Sequence, residues 1–225
     1  MPLKSQLTYL NPIVIFGAGG LGCEVLMLLH QINKDIPQWE ILGFYDDDPN
    51  TPEYILDYPY LGTLADLQQY QKPLAIALAM GNPVLKAEIR SKLNLPDFYF
   101  PPLIHPTVSN EVFQFNHIGE GAIICQGTIL TTNIHVGQQV LLNLGCTIGH
   151  DAVINDFCGL MPQANISGNV KLATGVYIGA SATVLPGVQV GENSIIGAGA
   201  VVTKNIPPRC TAIGVPARVI KQHAE

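Results

Sequence analysis

The stretch LNLGCTIGHDAVINDFCGLMPQANISGNVKLATGVYIGASATV, residues 142–184, repeats with a period of six. Every sixth residue from Leu142 onward is aliphatic, and the series extends back to Val112 and forward to Val202. A small or β-branched residue commonly stands four places after the aliphatic one, and glycine often follows the aliphatic residue directly. A strand has a period of two and a helix one of 3.6, so neither element alone accounts for this pattern.

The period of six predicts a coil of triangular cross-section over residues 112–202. Each hexapeptide forms one side, its aliphatic residue points inward, and the glycine relieves strain at the corner, where φ can turn positive. Three sides, or eighteen residues, complete one turn, and about five turns stack at roughly 4.8 Å. An ordinary β-sandwich with scattered aliphatic residues would not keep a single register over so many steps.

The residues before this coil follow a different pattern. Strand-like runs at 12–17, 41–45, 74–80 and 98–104 alternate with helix-like segments at 21–31, 64–71 and 83–93. Alternation of this kind predicts a parallel sheet with helices on its faces. We therefore expect a mixed fold: a small Rossmann-like α/β domain over residues 1–104, then a parallel β-helix with a C-terminal tail over residues 105–225.

The composition excludes several classes of protein. Hydrophobic residues make up 48% of the chain and charged residues only 12%, which is incompatible with intrinsic disorder. The formal net charge of −6 provides no basic field for nucleic acid. The apolar runs are too short to span a membrane and no charged-then-apolar leader precedes Asn11, so we expect a cytoplasmic protein.

The five cysteines are an odd number without a C-x-x-C pair, which argues against a disulfide framework and against a zinc site. Cys146 and Cys158 lie within eight residues of His150, so a nucleophilic role has to be weighed. Both occupy the small inward position of the repeat. We therefore predict that they are buried packing residues.

Segments from both halves resemble the NeuD-type bacterial sugar O- and N-acyltransferases, which are hexapeptide-repeat enzymes. The tail GVPAR at 214–218 matches the G-x-P-A-[KR] motif that closes many of them. The other matching segments follow in order along the chain: FGAGG at 16–20, FYDD at 44–47, AMGN at 79–82, HP at 105–106, GHD at 149–151 and SGNV at 167–170.

The resemblance implies a left-handed coil, although right-handed crossovers are the general expectation for parallel strands. It also implies a homotrimer that uses acetyl-CoA as co-substrate and needs no metal. The closest branch acetylates the 4-amino group of a UDP-linked 4-amino-4,6-dideoxy sugar, and its relatives act on GDP- or dTDP-amino sugars or on sialic acid hydroxyls. Few charges on the predicted sides of the coil also favour burial of those sides between copies.

Acyl transfer to an amine requires a group that accepts a proton near neutral pH, and histidine suits this role. Of the six histidines, His150 is the one that a carboxylate, Asp151, follows directly. Such a carboxylate can orient the ring and stabilise its protonated form. A histidine in a polar corner is more often simply solvated. The resemblance, however, assigns His150 as general base and Asp151 as its orienting partner.

Residues eighteen apart stack in columns along the predicted coil. His150 shares a column with Gly168, which leaves room for a thioester and can offer its N–H to an oxyanion. Lys204, in the same column about 14 Å away at the strand spacing, could meet the phosphates of CoA, although a solvated terminal lysine fits equally well.

A second column presents the small or rigid residues Ala180, Ala198 and Pro216, which form a flat wall. The resemblance aligns acetyl-CoA contacts with Ala180 and Ala198. A third contact, a histidine in the best-known branch, aligns with Gly159.

The N-terminal half carries a predicted site for the nucleotide sugar. Three glycines spaced G-x-G-x-x-G follow a strand and open a helix, an arrangement that can cradle phosphate. Ligands of open α/β sheets bind at the carboxyl ends of the strands, and tight turns or solvated aspartates are the alternative explanation. The predicted residues are Gly17, Gly19, Gly20, Leu21, Asp46, Asp47, Gly81 and Asn82. Leu21 replaces a histidine that the family usually has there, which leaves the nucleotide and the sugar open.

Three other functions remain to be distinguished from amino-sugar N-acetylation. In O-acetylation of a sugar such as sialic acid, His150 would deprotonate a hydroxyl. An NAD-dependent oxidoreductase rests only on the glycine pattern, and the first domain lacks a second mononucleotide-binding half. A non-catalytic scaffold would keep the trimer without binding acetyl-CoA.

Overall fold

The computed structural model describes residues 10–223. It consists of an α/β domain followed by a left-handed coil of short parallel strands, which confirms the predicted fold class. Among the described residues, none of the helices is long and apolar enough to cross a membrane.

The N-terminal domain is one sheet flanked by helices. Its elements are β1 (Asn11–Phe16), α1 (Gly20–Asn33), β2 (Trp39–Tyr45), β3 (Tyr54–Ile55), β4 (Tyr58–Gly62), α2 (Leu64–Leu67), β5 (Leu74–Leu78), α3 (Pro83–Lys92) and β6 (Phe98–Tyr99). The strand order is β3-β4-β2-β1-β5-β6, and only the β3–β4 pair is antiparallel. The central strands β1 and β5 read as continuous apolar runs because both of their faces are covered.

Two predicted elements differ from the structure. The helix expected over 64–71 ends at Leu67, because the chain turns there to begin β5 at Leu74. The strand expected over 98–104 is two strands, β6 and β7 (Leu103–Ile104), which lie in different sheets. Pro101 and Pro102 separate them, since proline has no N–H for a sheet ladder.

The second domain is a triangular prism of two-residue strands. Thr147 pairs with Asn165 and Asn165 pairs with Thr183, an advance of eighteen residues per turn. The docking side, which faces the N-terminal domain, contains β7, β9 (Ile123–Ile124), β12 (Leu141–Leu142), β15 (Gly159–Leu160), β18 (Tyr177–Ile178), β21 (Ile195–Ile196), β23 (Cys210–Ile213) and the antiparallel β24 (Arg218–Gln222).

The other two sides differ in the residues that face outward. The outward residues of the neutral side carry no charge, and its strands are β10 (Ile129–Leu130), β13 (Thr147–Ile148), β16 (Asn165–Ile166), β19 (Thr183–Val184) and β22 (Val201–Val202). The polar side presents histidine, lysine and glutamine, and its strands are β8 (His117–Ile118), β11 (His135–Val136), β14 (Val153–Ile154), β17 (Lys171–Leu172) and β20 (Gln189–Val190).

The predicted inward series holds except at its first member. Val112 lies in a 3-10 turn at the open end of the prism and is 93% exposed, so its prediction as a core residue is wrong. Val108 is part of the core at this end of the prism. Ile118 is half-buried, and from Ile124 to Val202 every member of the series is buried.

The explanation given for the glycines that follow the aliphatic residues is also wrong. Positive φ falls two residues after these glycines, for example at Asp151 with a φ of 59°. Glycine is required by the adjacent turn instead. A Cβ on Gly149 would lie 2.5 Å from the nitrogen of Gly168, and a Cβ on Gly179 would lie 2.5 Å from the nitrogen of Ala198.

Candidate active site

His150 and Asp151 lie after β13, at the corner between the neutral and polar sides. Nδ1 of His150 is 2.7 Å from Oδ2 of Asp151, and the two side chains are 59% and 43% exposed. One turn towards the N-terminal end, Nδ2 of Asn133 donates to Oδ1 of Asp151 at 2.6 Å. The hydrogen bonds from His150 and Asn133 hold the pKa of Asp151 below its usual range, so the carboxylate stays ionised beside the ring.

The imidazole of His150 lies against Gly168 in the next turn. A Cβ on Gly168 would come within 2.5 Å of Nε2 and 2.7 Å of Cε1, so only glycine leaves the ring in its place. With Nδ1 directed to Asp151, Nε2 is the nitrogen left for a substrate. Within residues 10–223, neither Nε2 nor the N–H of Gly168 has a hydrogen-bond partner.

Cys146 and Cys158 are packing residues inside the prism. Both are fully buried, and burial raises the pKa of each thiol to about 12. Because the thiolate is the nucleophile, neither side chain is reactive near neutral pH. Their predicted burial is confirmed.

Ala180, Ala198 and Pro216 stand along the corner between the docking and neutral sides. Ala180 is half-buried, whereas Ala198 and Pro216 are exposed. The N–H of Gly199 donates to the carbonyl of Ala180 at 2.8 Å, which keeps successive turns in register at this corner. The corner therefore offers a row of small side chains, and its contact with acetyl-CoA stays a prediction.

Lys204 follows the point at which the register of the prism changes. Val184 pairs with Val202, eighteen residues on, but Val190 bridges Ile206, only sixteen residues on. Lys204 is exposed, and no hydrogen bond or ion pair engages it in the described part of the chain. The eighteen-residue spacing that aligns residues with His150 therefore holds up to Val202, two residues before Lys204. The role of Lys204 in binding CoA stays a prediction.

Gly159 lies on the docking side rather than on the corner with Ala180 and Ala198. It is buried, and a Cβ there would stand 3.3 Å from the carbonyl oxygen of Gly81. The loop before α3 approaches the backbone of β15 at this point, so an imidazole would have to displace that loop. Close contact between the domains explains this glycine, and its contact with acetyl-CoA stays a prediction.

The strands β1, β2 and β5 end beside a pocket of about 280 Å³ in the α/β domain. The structure brings together at this pocket all the predicted nucleotide-sugar residues except Gly20 and Leu21: Gly17, Gly19, Asp46, Asp47, Gly81 and Asn82. The N-terminus of α1 begins next to it, where backbone N–H groups favour an anion.

The glycine pattern at the start of α1 also has a steric cause. Gly17 has a φ of 110°, and a Cβ on Gly22 would collide with the carbonyl oxygen of Gly17. The turn from β1 into α1 is therefore too tight for side chains at these two places. Gly19 differs, because no atom lies within 4 Å of the position a Cβ would take.

Asp46 and Asp47 are already engaged by backbone groups. Oδ2 of Asp46 accepts from the N–H of Ala18 at 2.6 Å, and its Oδ1 accepts from the N–H of Asp48 at 2.9 Å. Oδ1 of Asp47 accepts from the N–H of Leu64 at 2.8 Å. Asp46 thus braces the glycine turn and Asp47 the start of α2, while both line the pocket.

Leu21 lies between the two domains. It is half-buried and packs on a cluster of apolar residues from both domains, as do Leu144 and Met161. An apolar side chain suits this place. The contacts of Gly20, which is exposed, and of Leu21 with a nucleotide sugar stay predictions.

The sequence did not single out the apolar wall of the pocket. Met80 follows β5, and Leu85 and Ile89 project from α3. The spacing of four between Leu85 and Ile89, directly after Asn82, was the signal that could have indicated them.

The pocket and His150 lie on different sides of the molecule. The pocket belongs to the domain that covers the docking side, whereas His150 stands at the corner between the other two sides. A single chain therefore does not bring a ligand in the pocket to His150. Within residues 10–223, no three His, Cys, Asp or Glu side chains are grouped so as to hold a metal ion.

Two family models match the chain. Residues 12–93 match the PglD N-terminal domain, and residues 169–204 match the bacterial transferase hexapeptide (six repeats). No curated protein sequence matches the chain.

Solved structures resemble the chain over nearly its whole length. The acetyltransferase domain of PglB from Neisseria gonorrhoeae FA1090 is 27% identical, with 93% of this chain and 100% of that chain covered and a TM-score of 0.84. WeeI from Acinetobacter baumannii AYE is 29% identical, with 93% and 100% covered and a TM-score of 0.80. A mutant of perosamine N-acetyltransferase from Caulobacter crescentus, in complex with CoA and GDP-perosamine, is 25% identical, with 95% and 98% covered and a TM-score of 0.81.

The fold, the corner histidine and these comparisons define a hexapeptide-repeat acyltransferase that carries an α/β domain in front of its β-helix. More narrowly, the chain is similar over nearly its whole length to sugar N-acetyltransferases of the NeuD and PglD type, which confirms the resemblance seen in the sequence.

Proposed function

We propose that this protein transfers an acetyl group from acetyl-CoA to the amino group of a nucleotide-linked amino sugar, with His150 as general base. The observation that carries the proposal is the likeness, over 95% of the chain, to a perosamine N-acetyltransferase bound to CoA and GDP-perosamine. The PglB acetyltransferase domain is likewise known in complex with acetyl coenzyme A. For the acceptor we propose a 4-amino-4,6-dideoxy sugar on a UDP-like nucleotide.

His150 supplies the proton chemistry of the transfer. Its Nδ1–H donates to Asp151, so Nε2 keeps its lone pair. The amine nitrogen attacks the carbonyl carbon of the thioester while Nε2 accepts the amine proton. The C–S bond then breaks, and the CoA thiolate receives a proton from His150. Between these steps the ionised Asp151 stabilises the imidazolium.

Residues at two corners of the prism are suited to an acyl-CoA donor. The N–H of Gly168, unpartnered in residues 10–223, is available to an oxyanion. The small side chains of Ala180, Ala198 and Pro216 leave their corner open to a pantetheine arm, and the exposed cation of Lys204 is available to its phosphates.

We propose a homotrimer whose sites are shared between subunits. The first residues of the neutral-side strands are all uncharged: Ile129, Thr147, Asn165, Thr183 and Val201. Such a surface favours burial against other copies of the chain. Because the pocket and His150 of one chain lie on different sides, a second copy is needed to bring them together. A cytoplasmic location remains a prediction from the sequence.

A panel of acceptors tests the proposed function. Purified protein is supplied with acetyl-CoA and with UDP-, GDP- or dTDP-linked amino sugars, and released CoA thiol is measured. We expect turnover with at least one of them, and a fall in kcat of about 10²- to 10⁴-fold in a folded His150→Ala variant. His135→Ala, which removes an exposed histidine from the polar side, is the matched control and should keep its turnover. A near-normal kcat in His150→Ala would remove the assignment of the base.

The same panel tests transfer to a hydroxyl group. If CoA thiol is released with sialic acid and with none of the amino sugars, the acceptor is a hydroxyl group and not an amine. The perosamine N-acetyltransferase compared above acts at an amino group, so we expect the opposite result. Calorimetric titration with NAD should give no binding.

A further inference from the structure

Helix α3 carries two rows of side chains that face different partners. Leu85 and Ile89, four residues apart, line the pocket of the α/β domain. Lys86 and Arg90 are also four residues apart, about 100° further round the helix, and they reach the β-helix. One helix therefore forms a wall of the acceptor pocket and a contact with the other domain.

The amino group of Lys86 is buried without an acidic partner. The residue is 2% exposed, and Nζ donates to the carbonyl oxygen of Gln139 at 3.3 Å. Within residues 10–223, no carboxylate forms an ion pair with it. A buried amine without a counter-ion costs folding free energy. The hydrogen bond to Gln139 therefore fixes where α3 contacts the β-helix, and it does not add net stability to the fold.

Arg90 contacts the same corner of the prism, between the polar and docking sides. Nη2 donates to Oε1 of Glu120 at 3.1 Å, and the guanidinium lies 4.0 Å from the centre of the Phe100 ring. Glu120 and Gln139 stand on successive turns, where the N–H of Gln139 donates to the carbonyl of Glu120 at 2.8 Å. Lys86 and Arg90 together therefore hold α3 to two adjacent turns.

The turn that Lys86 contacts also carries His150. From Gln139 the chain passes through β12 and β13 and reaches His150 within one circuit of the prism. We propose that Lys86, supported by Arg90, is a positioning residue that holds the acceptor pocket at a fixed height relative to the turn of His150. The inference rests on the proposed function. In a symmetric assembly, the position of α3 along the axis of its own prism also fixes its position relative to the His150 of the neighbouring copy.

Two substitutions separate the amine of Lys86 from its aliphatic stem. Lys86→Ala removes both, whereas Lys86→Met removes the amine and keeps the length of the stem. We expect both variants to raise the acceptor KM about tenfold, with the Kd for acetyl-CoA, measured by calorimetry, unchanged. Lys92→Met is the matched control, because it removes a cation of α3 that pairs with Glu88 at the surface. An acceptor KM for Lys86→Met equal to that of the wild type overturns the role of the amine.

Hydrogen–deuterium exchange tests the inference without an acceptor. Lys86→Ala, which removes the buried amine together with its stem, should speed amide exchange over residues 79–92 and leave the amides around His150 unchanged. Arg90→Gln, which removes the contact with Glu120, should act in the same direction. Unchanged exchange in both variants overturns the inference. If exchange is faster in the variants but the wild type acetylates no acceptor, the contact of α3 with the β-helix is supported. Only the proposed function is then overturned.

Discussion

Asp151 combines a backbone requirement with a chemical one. Its φ of 59° lies in the left-handed region, which aspartate and asparagine enter more readily than most residues. Its carboxylate accepts hydrogen bonds from His150 and Asn133. The two requirements can be separated by substitution, because asparagine meets the first and lacks the charge of the second.

Asp151→Asn should lower kcat about 10²-fold with little change in Tm, because a neutral amide does not stabilise the imidazolium. Asp151→Ala should lower both kcat and Tm, since alanine is strained at positive φ. Steady-state kinetics and thermal unfolding of the two variants measure these effects. A wild-type kcat in Asp151→Asn would show that the carboxylate does not act on the ring.

Gly168→Ala should displace the imidazole of His150, whose Nε2 lies 2.5 Å from the position of the added Cβ. A displacement of this kind lowers kcat about 10²-fold. In a His150→Ala background the same substitution should have no further effect on the residual rate. This double-mutant cycle separates displacement of the ring from any direct role of Gly168. Additive losses in the cycle would contradict displacement as the cause.

The sequence predicts those parts of the site that lie close together in the chain or one repeat apart. His150 and Asp151 are adjacent, and Gly168 is eighteen residues from His150, so the period of the coil places them together. Gly159 and Leu21 are different, because their surroundings depend on how the α/β domain packs on the docking side. That packing joins residues far apart in the chain, and no local pattern encodes it.

At the scale of elements, predictability follows the length and regularity of the pattern. The β-helix is predicted almost turn for turn because its aliphatic period persists from Ile124 to Val202. The short strands β3 and β4 were not predicted, since two to five residues carry too little periodicity. The open end of the prism was also missed, because the pattern continues to Val112 where the core does not.

Helix α3 should make the stability of the protein depend on pH through Lys86. Burial lowers the pKa of Lys86 to about 8 from 10.5, so the unfolded chain binds more protons between these values and stability rises with pH in that window. Below about pH 8 the full cost of the buried charge is present. Lys86→Met should therefore be more stable than the wild type by about 1–3 kcal/mol at pH 7, and the advantage should shrink towards pH 10.

Urea denaturation of both proteins between pH 7 and 10, under reducing conditions, measures this difference. Burial raises the pKa of the thiols of Cys125, Cys146 and Cys158 to about 12 from 9.0, so their stabilisation is lost progressively above pH 9. Cys146 and Cys158 titrate alike in both proteins, whereas the charge of Lys86 also lowers the pKa of Cys125, so the difference between the two proteins reports Lys86 together with its coupling to Cys125. A difference that does not change with pH would contradict the buried amine as its origin.

At the scale of the whole molecule, the chain separates its two candidate ligand sites. The α/β domain covers one side of the prism, and His150 stands at the opposite corner. The uncharged neutral side runs from that corner to the one with Ala180 and Ala198. Contact between copies along the neutral side would therefore join the base of one chain to the wall of small residues of the next.

Mixed assemblies test whether two chains share each site. His150→Ala lacks the base, and Gly81→Phe fills the pocket, because no atom lies within 4 Å of a Cβ at Gly81. Each variant alone should be inactive. If the pocket of one chain meets the base of the next, random mixing by co-expression pairs an intact pocket with an intact base at about a quarter of the sites and restores that share of turnover. A site contained in one chain would recover nothing, because neither variant holds both parts.

The control is the double variant His150→Ala with Gly81→Phe, mixed with either single variant. No pair of chains in these mixtures combines an intact pocket with an intact base, so no turnover should return. CoA release above the level of this control can therefore come only from sites that two chains complete.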